Sequence, residues 1–285
     1  MHQTNYLNTG DNMIVNPNLK EITICVTTHG KLNYTKSCIY SLIHNTMHPF
    51  KLILCSDVND GTKEWADQIP EIHHCEYSPT PYNGAAQARN ANIKMANEIG
   101  NEFCVLSDND NMVPRAWDRH IIDIMQEQPD IGLVMPMSLD MTWLPIPGLS
   151  DKIAFIKQHK NDDNHFHTMT NIIDEAYVEY GGFDKYADQM IINNRDVQLQ
   201  SFTNTWSFYT FRLSAMHSIG GYDENFIGAA WEDIDLARRL NNAKYRTVIC
   251  CQSLIHHWMN TTRAGEPDAV AKETYNKEYY RKKWS

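Results

Sequence analysis

Short apolar runs alternate with amphipathic segments along the first half of the chain. Ile22–Thr28 is a short, β-branched apolar run, which is typical of a strand buried on both faces. Residues 84–99 repeat small and apolar side chains at spacings of three and four, which predicts a helix. Strands that alternate with helices predict a mostly parallel α/β sheet with helices on both faces. The pattern predicts further helices at 34–44 and 117–128 and further strands at 51–55, 103–106 and 131–135.

The alternation is lost between residues 138 and 205. This segment contains Pro145, Pro147 and a patch at 161–167 that is rich in Asp, Asn and His. It is too long to be a simple loop in a compact domain, so we expect an irregular insertion that covers or shapes a binding site. In and after this segment, the pattern predicts helical pieces near 150–159 and 172–180, strands at 206–213 and 245–250, and helices at 232–241 and 268–283.

The length and composition predict one large domain with a full hydrophobic core. The chain has 285 residues, of which 42% are hydrophobic and 21% are charged. We expect a polar N-terminal extension at 1–20 and a single domain at 21–285. Within that domain, we expect a ligand-binding half at 21–137, the insertion at 138–205 and a second half at 206–285 that ends in a helix.

Composition and charge narrow the class of protein. No run approaches the roughly 18 consecutive apolar residues that a membrane span needs. The N-terminus lacks the basic start and apolar run of a secretory signal. Several of the seven cysteines lie in predicted strands, as buried thiols in a reducing compartment do, so we expect a cytoplasmic protein. The formal net charge of -10 is unfavourable for a broad surface that binds nucleic-acid phosphates.

Polar residues follow three of the predicted strands. In a parallel sheet, ligands bind in the crevice outside the carboxyl ends of the strands, and Thr27, His29 and Asp57 belong to two such ends. Asp108 and Asp110 follow a third strand with one residue between them. Two carboxylates in this arrangement can hold Mg²⁺ or Mn²⁺, which often bridge a protein carboxylate to substrate phosphates. The alternative is a solvated acidic turn.

Two further clusters carry possible chemistry. Glu232 and Asp233 begin a predicted helix, where the helix dipole alone favours carboxylates. In the functional interpretation, one of them is a general base that removes a proton from an acceptor hydroxyl. His256 and His257 end the last predicted strand, and a neutral imidazole can complete a metal shell begun by carboxylates. Core or surface histidines are the alternative interpretation.

Six short motifs, taken in order, make the chain resemble the inverting family-2 glycosyltransferases of the GT-A fold. The resemblance covers residues 22 to 285 apart from the insertion, and a closing Lys-Trp-Ser is similar to the Lys-Trp-Gly of the family. At 27–30, Thr-Thr-His-Gly replaces the usual Pro-x-Tyr-Asn. The motifs are a polar turn after the first strand (22–30), an acidic turn after the second (54–62), Gly-x-x-x-Ala-Arg-Asn-x-x-Ile (84–93), Asp-x-Asp (108–110), Gly-Gly-Tyr-Asp-Glu (220–224) and Glu-Asp-x-Asp (232–235).

The resemblance implies a Rossmann-like, mostly parallel sheet that binds a nucleotide-sugar donor. Asp57 would then accept a hydrogen bond from the nucleotide base, which is uracil N3–H if the donor is a UDP-sugar. Thr27 and His29 would line the base and ribose pocket. Arg89 would lie near the diphosphate or the donor sugar, where its fork of donors suits anionic oxygens. Asn109 is expected in the same donor site.

The resemblance also implies a divalent metal and an acceptor site. Asp108 would contact the ribose or the metal-bound water, and Asp110 would ligate Mn²⁺ or Mg²⁺. His256 would be the distal ligand, in preference to His257. Asp233 would be the catalytic base. Acceptor binding would fall to Glu232, Trp231 and Trp206.

The implied reaction is the transfer of a hexosyl or pentosyl group to an acceptor hydroxyl with inversion. A nucleotidyltransferase is an alternative, but it should carry a glycine-rich, basic phosphate loop, and the first turn has only Gly30 and Lys31. A non-catalytic nucleotide-sugar binding protein is another, and Asp110 and Asp233 argue against it. The aromatic residues of the insertion can stack on sugar rings or, equally, on nucleobases, and a glycan is the expected acceptor. They are Trp143, Phe155, Phe166, Tyr177, Tyr180, Phe183 and Trp206. A modified base in viral DNA is the alternative acceptor, which the acidic chain disfavours.

Overall fold

A computed structural model of the chain describes residues 19–57, 59–78, 83–138, 173, 175, 177–194, 200–201, 207–258 and 268–285. Its strands are β1 (Ile22–Thr28), β2 (Phe50–Ser56), β3 (Ile72–Tyr77), β4 (Phe103–Asp108), β5 (Asn111–Met112), β6 (Ile131–Ser138), β7 (Gln200–Ser201), β8 (Phe208–Arg212) and β9 (Arg246–His257). Its helices are α1 (Leu32–Asn45), α2 (Thr62–Ala66), α3 (Ala85–Ile99), α4 (Arg119–Glu127), α5 (Phe183–Asn194), α6 (Leu213–Ile219), α7 (Glu232–Asn242) and α8 (Ala269–Lys283), with a 3₁₀ turn at Val178–Tyr180.

The strands form a mixed sheet in the order β3-β2-β1-β4-β8-β6-β9-β5, with β7 paired to β9. Strands β3, β2, β1 and β4 pair in parallel, β8 is antiparallel to β4 and β6, and β6 and β9 are again parallel. Thr27 at the end of β1 lies between Cys55 of β2 and Asp108 of β4. The predicted α/β fold is confirmed, and three strand ends meet at one edge as parallel pairing requires.

Both faces of the sheet are covered. Ile22, Ile24 and Val26 of β1 pack in one buried cluster with α1 and α4. Cys25 points to the other face and belongs to a second cluster that includes α3. This alternation follows from the period of two in a strand. It explains why β1 is an uninterrupted apolar run, because both of its faces are buried.

The described part of the predicted insertion is helical and contributes to the core. Helix α5 lies within 138–205, and its residues Phe183, Tyr186 and Met190 are buried, as is the preceding Tyr177. The sequence predicted helical pieces near 150–159 and 172–180. The first lies outside the described residues, and the second ends in the 3₁₀ turn Val178–Tyr180. Helix α5 itself was not predicted, although its buried residues recur at spacings of three and four; they are Phe183, Tyr186, Ala187 and Met190.

Other elements that the sequence pattern missed are short or polar. They are β3, α2, β5, β7 and α6. Strand β3 reads Ile-His-His-Cys-Glu-Tyr and pairs only with β2 at the edge of the sheet, so it needs little apolar character. Among the described residues, no helix combines the length and apolar character that crossing a membrane requires. The proposed extension at 1–20 lies almost entirely outside the described part of the chain.

Candidate active site

His29 and Asp57 form a hydrogen-bonded pair at the ends of β1 and β2. Asp57 Oδ1 lies 2.7 Å from His29 Nδ1. The Asp57 side chain is 3% exposed and that of His29 is 47% exposed, so the carboxylate lies beneath the ring. An ionised carboxylate only accepts hydrogen bonds, so the proton lies on His29 Nδ1 when the two are bonded. The pair therefore combines a buried carboxylate with a half-exposed imidazole.

Asn109 braces the turn that carries His29. Its Nδ2 donates to Thr28 Oγ1 at 3.1 Å, to Gly30 O at 2.9 Å and to Thr35 Oγ1 at 2.8 Å. The side chain is buried and its amide nitrogen is fully used by these contacts. The sequence placed Asn109 among donor-binding residues. In the structure, its amide nitrogen supports the turn between β1 and α1.

Thr27 also has a partner within the protein. Its Oγ1 accepts a hydrogen bond of 2.8 Å from Asn92 Nδ2 on α3. The residue stands beside Asp108 in the parallel register of β1 and β4. Thr27 therefore lies at the crevice as expected, with its hydroxyl oriented by Asn92.

Arg89 joins the two acidic motifs. Its Nη2 lies 3.1 Å from both carboxylate oxygens of Asp108, and its Nη1 lies 3.2 Å from Glu232 Oε1. The Arg89 and Glu232 side chains are 7% and 4% exposed. One buried guanidinium thus places the end of β4 next to the start of α7, although Arg89 and Glu232 are 143 positions apart. The sequence predicted Arg89 near a diphosphate, and without ligand it pairs with these carboxylates.

Asp233 is in an environment that favours its protonated form. Burial raises its pKa, the neighbouring Glu232 carboxylate raises it further, and Arg89 opposes both effects. The Asp233 Oδ1 accepts a hydrogen bond of 2.8 Å from the backbone N–H of Ile234. A carboxylate with a raised pKa is a stronger proton acceptor than an ordinary aspartate, which is the property a general base needs.

Asp110 faces His257. Asp110 Oδ1 lies 3.3 Å from His257 Nε2, and both side chains are largely buried. Strand β5 follows the acidic turn and pairs with the end of β9, with Asn111 opposite His257 and Met112 opposite His256. Two ligands about 2.1 Å from one octahedral ion lie about 3 Å apart, so this pair of oxygen and nitrogen atoms suits a shared divalent cation.

His256 faces away from this pair. Its side chain is fully buried, its Nδ1 lies 3.1 Å from the Tyr177 hydroxyl, and its ring packs edge-on against Trp258 and Phe183. Successive residues of a strand point to opposite faces, so only one of the two histidines can face Asp110. The structure thus brings His257, and not His256, next to Asp110. Within the described residues, no cluster of three or more His, Cys, Asp or Glu side chains is placed to hold a metal.

The predicted acceptor side is only partly visible. Trp206 lies outside the described residues. Trp231 directly precedes α7, and its ring packs against Tyr280 of α8 with centroids 5.4 Å apart and with Lys277 Nζ 5.9 Å above it. Tyr177 and Phe183, which the sequence offered as stacking residues, are buried core side chains.

Asn90 is a site residue that sequence reasoning passed over. It follows Arg89 on α3, and its Oδ1 accepts from Tyr222 N at 2.8 Å while its Nδ2 donates to Tyr222 O at 3.0 Å. These bonds fix the Gly-Gly-Tyr-Asp-Glu segment against α3. A side chain at Gly221 would lie 2.7 Å from Asn90 Oδ1, which explains the glycine. The one indication of this contact in the sequence is that Asn90 and Gly221 belong to two of the motifs on which the family resemblance rests, at 84–93 and 220–224.

Comparison with known proteins identifies the family. Residues 23–183 match the family model described as glycosyl transferase family 2. The chain belongs to this family. It is a glycosyltransferase-family chain with the GT-A fold, as the resemblance implied. No curated protein sequence is similar enough to be matched to it.

Solved structures of glycosyltransferases share this fold at low sequence identity. GalNAc-T7 with UDP, GalNAc and Mn²⁺ aligns with a TM-score of 0.57 at 11% identity, over 85% of this chain and 44% of that chain. The mannosyltransferase PcManGT from Pyrobaculum calidifontis, in complex with GDP-Man and Mn²⁺, aligns with a TM-score of 0.55 at 14% identity, over 93% and 70%. S. aureus TarS 1-349 in complex with UDP-GlcNAc aligns with a TM-score of 0.53 at 10% identity, over 91% and 70%. This chain thus spans less than half of GalNAc-T7.

Proposed function

We propose that this family-2 chain is a metal-dependent glycosyltransferase that moves a sugar from a UDP-sugar to an acceptor hydroxyl with inversion. The observation that carries the proposal is the bridge through Arg89. Its guanidinium contacts Asp108 at the end of β4 and Glu232 at the start of α7. The acidic turn at 108–110, which is suited to a metal-bound donor diphosphate, and the start of α7, where Asp233 follows Glu232, therefore lie beside one guanidinium.

The donor base is assigned to the crevice beside His29 and Asp57. Asp57 is a buried acceptor at the end of β2, and His29 covers it with a half-exposed ring. In this proposal, uracil stacks near His29 and its N3–H donates a hydrogen bond to the Asp57 carboxylate, which His29 also contacts. The related folds bind UDP, UDP-GlcNAc or GDP-Man in their crystals, so the fold alone leaves the base open.

The metal is assigned to Asp110 and His257. Their facing oxygen and nitrogen atoms are a donor set that Mn²⁺ accepts, and the diphosphate oxygens and water would supply its other ligands. GalNAc-T7 and PcManGT contain Mn²⁺ in their crystals. When bound, the ion supplies Lewis-acid chemistry that neutralises charge on the departing diphosphate. Asp108 and Arg89 would orient the ribose and diphosphate side of the pocket.

Asp233 is assigned the role of general base. Its carboxylate takes the proton of the acceptor hydroxyl while the hydroxyl oxygen bonds to the anomeric carbon. The bond from that carbon to the diphosphate oxygen breaks, and the nucleoside diphosphate leaves with the bonding electrons. Attack from the face opposite the leaving group inverts the anomeric centre in one displacement. Glu232, held by Arg89, is placed to bind acceptor hydroxyls.

The acceptor proposed is a glycan hydroxyl. Aromatic residues precede α7 and line α8, and aromatic rings pack well against the apolar faces of sugars. The hydrolysis of donors in the absence of acceptor tests the reaction without knowledge of that glycan. UDP-glucose, UDP-N-acetylglucosamine and GDP-mannose are incubated with the chain and Mn²⁺ or with EDTA. We expect Mn²⁺-dependent release of UDP. Release from none of the donors would contradict the proposal, and release of GDP alone would overturn the assignment of the base.

A further inference from the structure

The turn that precedes Asp233 has an unusual backbone. Ala230 and Trp231 have φ angles of 84° and 74°, so two successive non-glycine residues are left-handed. L-residues rarely adopt this conformation, and for a bulky residue such as Trp231 it is an outlier. Such a conformation persists only where surrounding contacts impose it, and it is common next to functional groups. We call residues 227–231 the base turn, because it leads directly into Glu232 and Asp233.

The base turn is held on one side by the start of α3. Ala85 N donates to Gly228 O at 2.7 Å, and Gly228 N donates to Asn83 O at 2.8 Å. Gly84 and Gly228 form a parallel bridge so close that a side chain at Gly84 would collide with the Gly228 backbone. These contacts fix the middle of the base turn. They leave Ala230, the first left-handed residue that is not a glycine, to another support.

That support is Asn276 of α8. Asn276 is fully buried, its Nδ2 donates to Ile227 O at 2.7 Å and to Ala230 O at 2.9 Å, and its Oδ1 accepts from Ile227 N at 3.0 Å. An asparagine side chain has two donors and one acceptor group, and all are used on the base turn. Asn276 is also the one buried residue of α8, so the main buried contact of this helix is directed at the base turn.

We propose that Asn276 is a positioning residue, which holds the base turn in its left-handed conformation and thereby sets the direction of the Asp233 carboxylate. The inference rests on the proposed role of Asp233 as base. Helix α8 would then be part of the catalytic apparatus although none of its residues touches the reacting atoms. Displacement of a catalytic group by about 1 Å can lower a rate by about a hundredfold, so a small relaxation of the base turn has a measurable effect.

Asn276→Asp is the sharpest variant, because it keeps the size of the side chain but replaces its two donors with a carboxylate oxygen, which repels the carbonyl oxygens of Ile227 and Ala230. Asp118→Asn is the matched control. Asp118 is also fully buried and holds another loop, accepting from Met47 N at 3.0 Å and from His48 N at 2.8 Å. That loop continues to Pro49, whose carbonyl oxygen accepts a hydrogen bond from the backbone N–H of Ile22. Ile22 is the first residue of β1, and Thr27 lies near the other end of that strand. Both changes are isosteric amide–carboxylate exchanges at buried loop supports, but only one is near Asp233.

Three quantities are measured on the full chain and on Asn276→Asp, Asn276→Ala, Asp118→Asn and Asp233→Asn. They are the kcat and KM of UDP release from UDP-N-acetylglucosamine with Mn²⁺, the Tm, and the hydrogen exchange of backbone amides 227–233. For both Asn276 variants we expect faster exchange in this segment and a kcat lower by about tenfold or more, with KM within about threefold. For Asp118→Asn we expect a lower Tm with kcat and exchange at 227–233 unchanged.

Two results would overturn the inference. One is unchanged exchange at 227–233 in Asn276→Asp and Asn276→Ala, since the base turn would then not depend on Asn276. The other is faster exchange at 227–233 in the Asn276 variants while their kcat is no lower than that of Asp118→Asn, compared between variants of equal Tm. A failure of the proposed function is distinguishable, because Asp233→Asn would then release UDP as fast as the unchanged chain. Hydrogen exchange would still report whether Asn276 holds the base turn.

Discussion

The donor side and the acceptor side of the pocket are built in different ways. On the donor side, Asp57 follows β2 and Asp108 ends β4, and β1 pairs in parallel with both strands, so backbone pairing fixes their separation. On the acceptor side, Asp233 follows a base turn in which two non-glycine residues are left-handed, and distant side chains such as Asn276 hold it. A position fixed by a sheet tolerates single substitutions nearby. A position fixed by a few long-range contacts should be sensitive to each of them.

The largest effect is expected from removing the base itself. Asp233→Asn keeps the shape of the side chain but cannot accept the acceptor proton, so we expect turnover to fall by about 10²- to 10⁴-fold. Donor binding should change little, because the donor-side residues are untouched. UDP release gives the rate, and the shift in Tm with UDP and Mn²⁺ gives binding. Asp67→Asn, an exposed acid on the surface, serves as control. Retained turnover would mean that the base has been misassigned.

The second effect separates the two adjacent histidines. His257→Ala should greatly weaken Mn²⁺ binding with little change in Tm, because His257 faces Asp110 at the pocket. His256→Ala should lower the free energy of unfolding by roughly 1–3 kcal/mol and keep Mn²⁺ binding, since it removes a hydrogen-bond partner of the buried Tyr177 hydroxyl. Mn²⁺ titration and thermal unfolding measure the two quantities. The reverse outcome would restore the expectation drawn from the sequence.

The third effect is on pH dependence. Below its pKa the Asp233 carboxyl is protonated and cannot accept a proton, so turnover should fall as the pH falls through that pKa. Since burial and Glu232 raise this pKa above the usual value of about 3.9, the loss should occur at a higher pH than for an ordinary aspartate. Glu232→Gln removes one of the raising causes and should move the inflection to lower pH. An inflection that stays in place would show that Glu232 does not act on the base.

The smallest effect is a gain in stability at the base turn. Ala230→Gly should raise the free energy of unfolding by about 1 kcal/mol, since glycine adopts a positive φ without strain. Ala237→Gly, in the interior of α7, is the matched control and should lower it by about 1 kcal/mol. Chemical denaturation measures both. Equal destabilisation by the two changes would show that the left-handed turn carries no strain.

The donor side could be predicted from the sequence because local patterns determine it. Apolar runs give the strands, parallel pairing brings their ends together, and the polar residues that follow them then share a crevice. Asp57 and Asp108 are placed in this way. The contacts of Asn109 could not be predicted, since the sequence does not distinguish a buried asparagine that supports a turn from an exposed asparagine that binds a ligand.

The acceptor side could not be predicted in the same way. The choice between His256 and His257 depends on which face of β9 each side chain points to. The pairing of β9 with β6 is irregular, since Pro136 pairs with Cys250 but the next residue, Met137, pairs with Leu254. An irregularity of that kind changes which residues face the pocket and has no signature in a hydrophobic pattern. Asn276 lies in a polar helix and acts on residues 46 and 49 positions away, which no local pattern reports.

The most direct test of the account is the configuration of the sugar that is released from a UDP-α-sugar. Proton NMR at early times, before mutarotation, distinguishes the α and β anomers of the free sugar that hydrolysis produces in the presence of Mn²⁺. The account predicts that the β anomer appears first and that Asp233→Asn abolishes its release. Initial release of the α anomer would contradict a single displacement in which Asp233 activates the attacking hydroxyl.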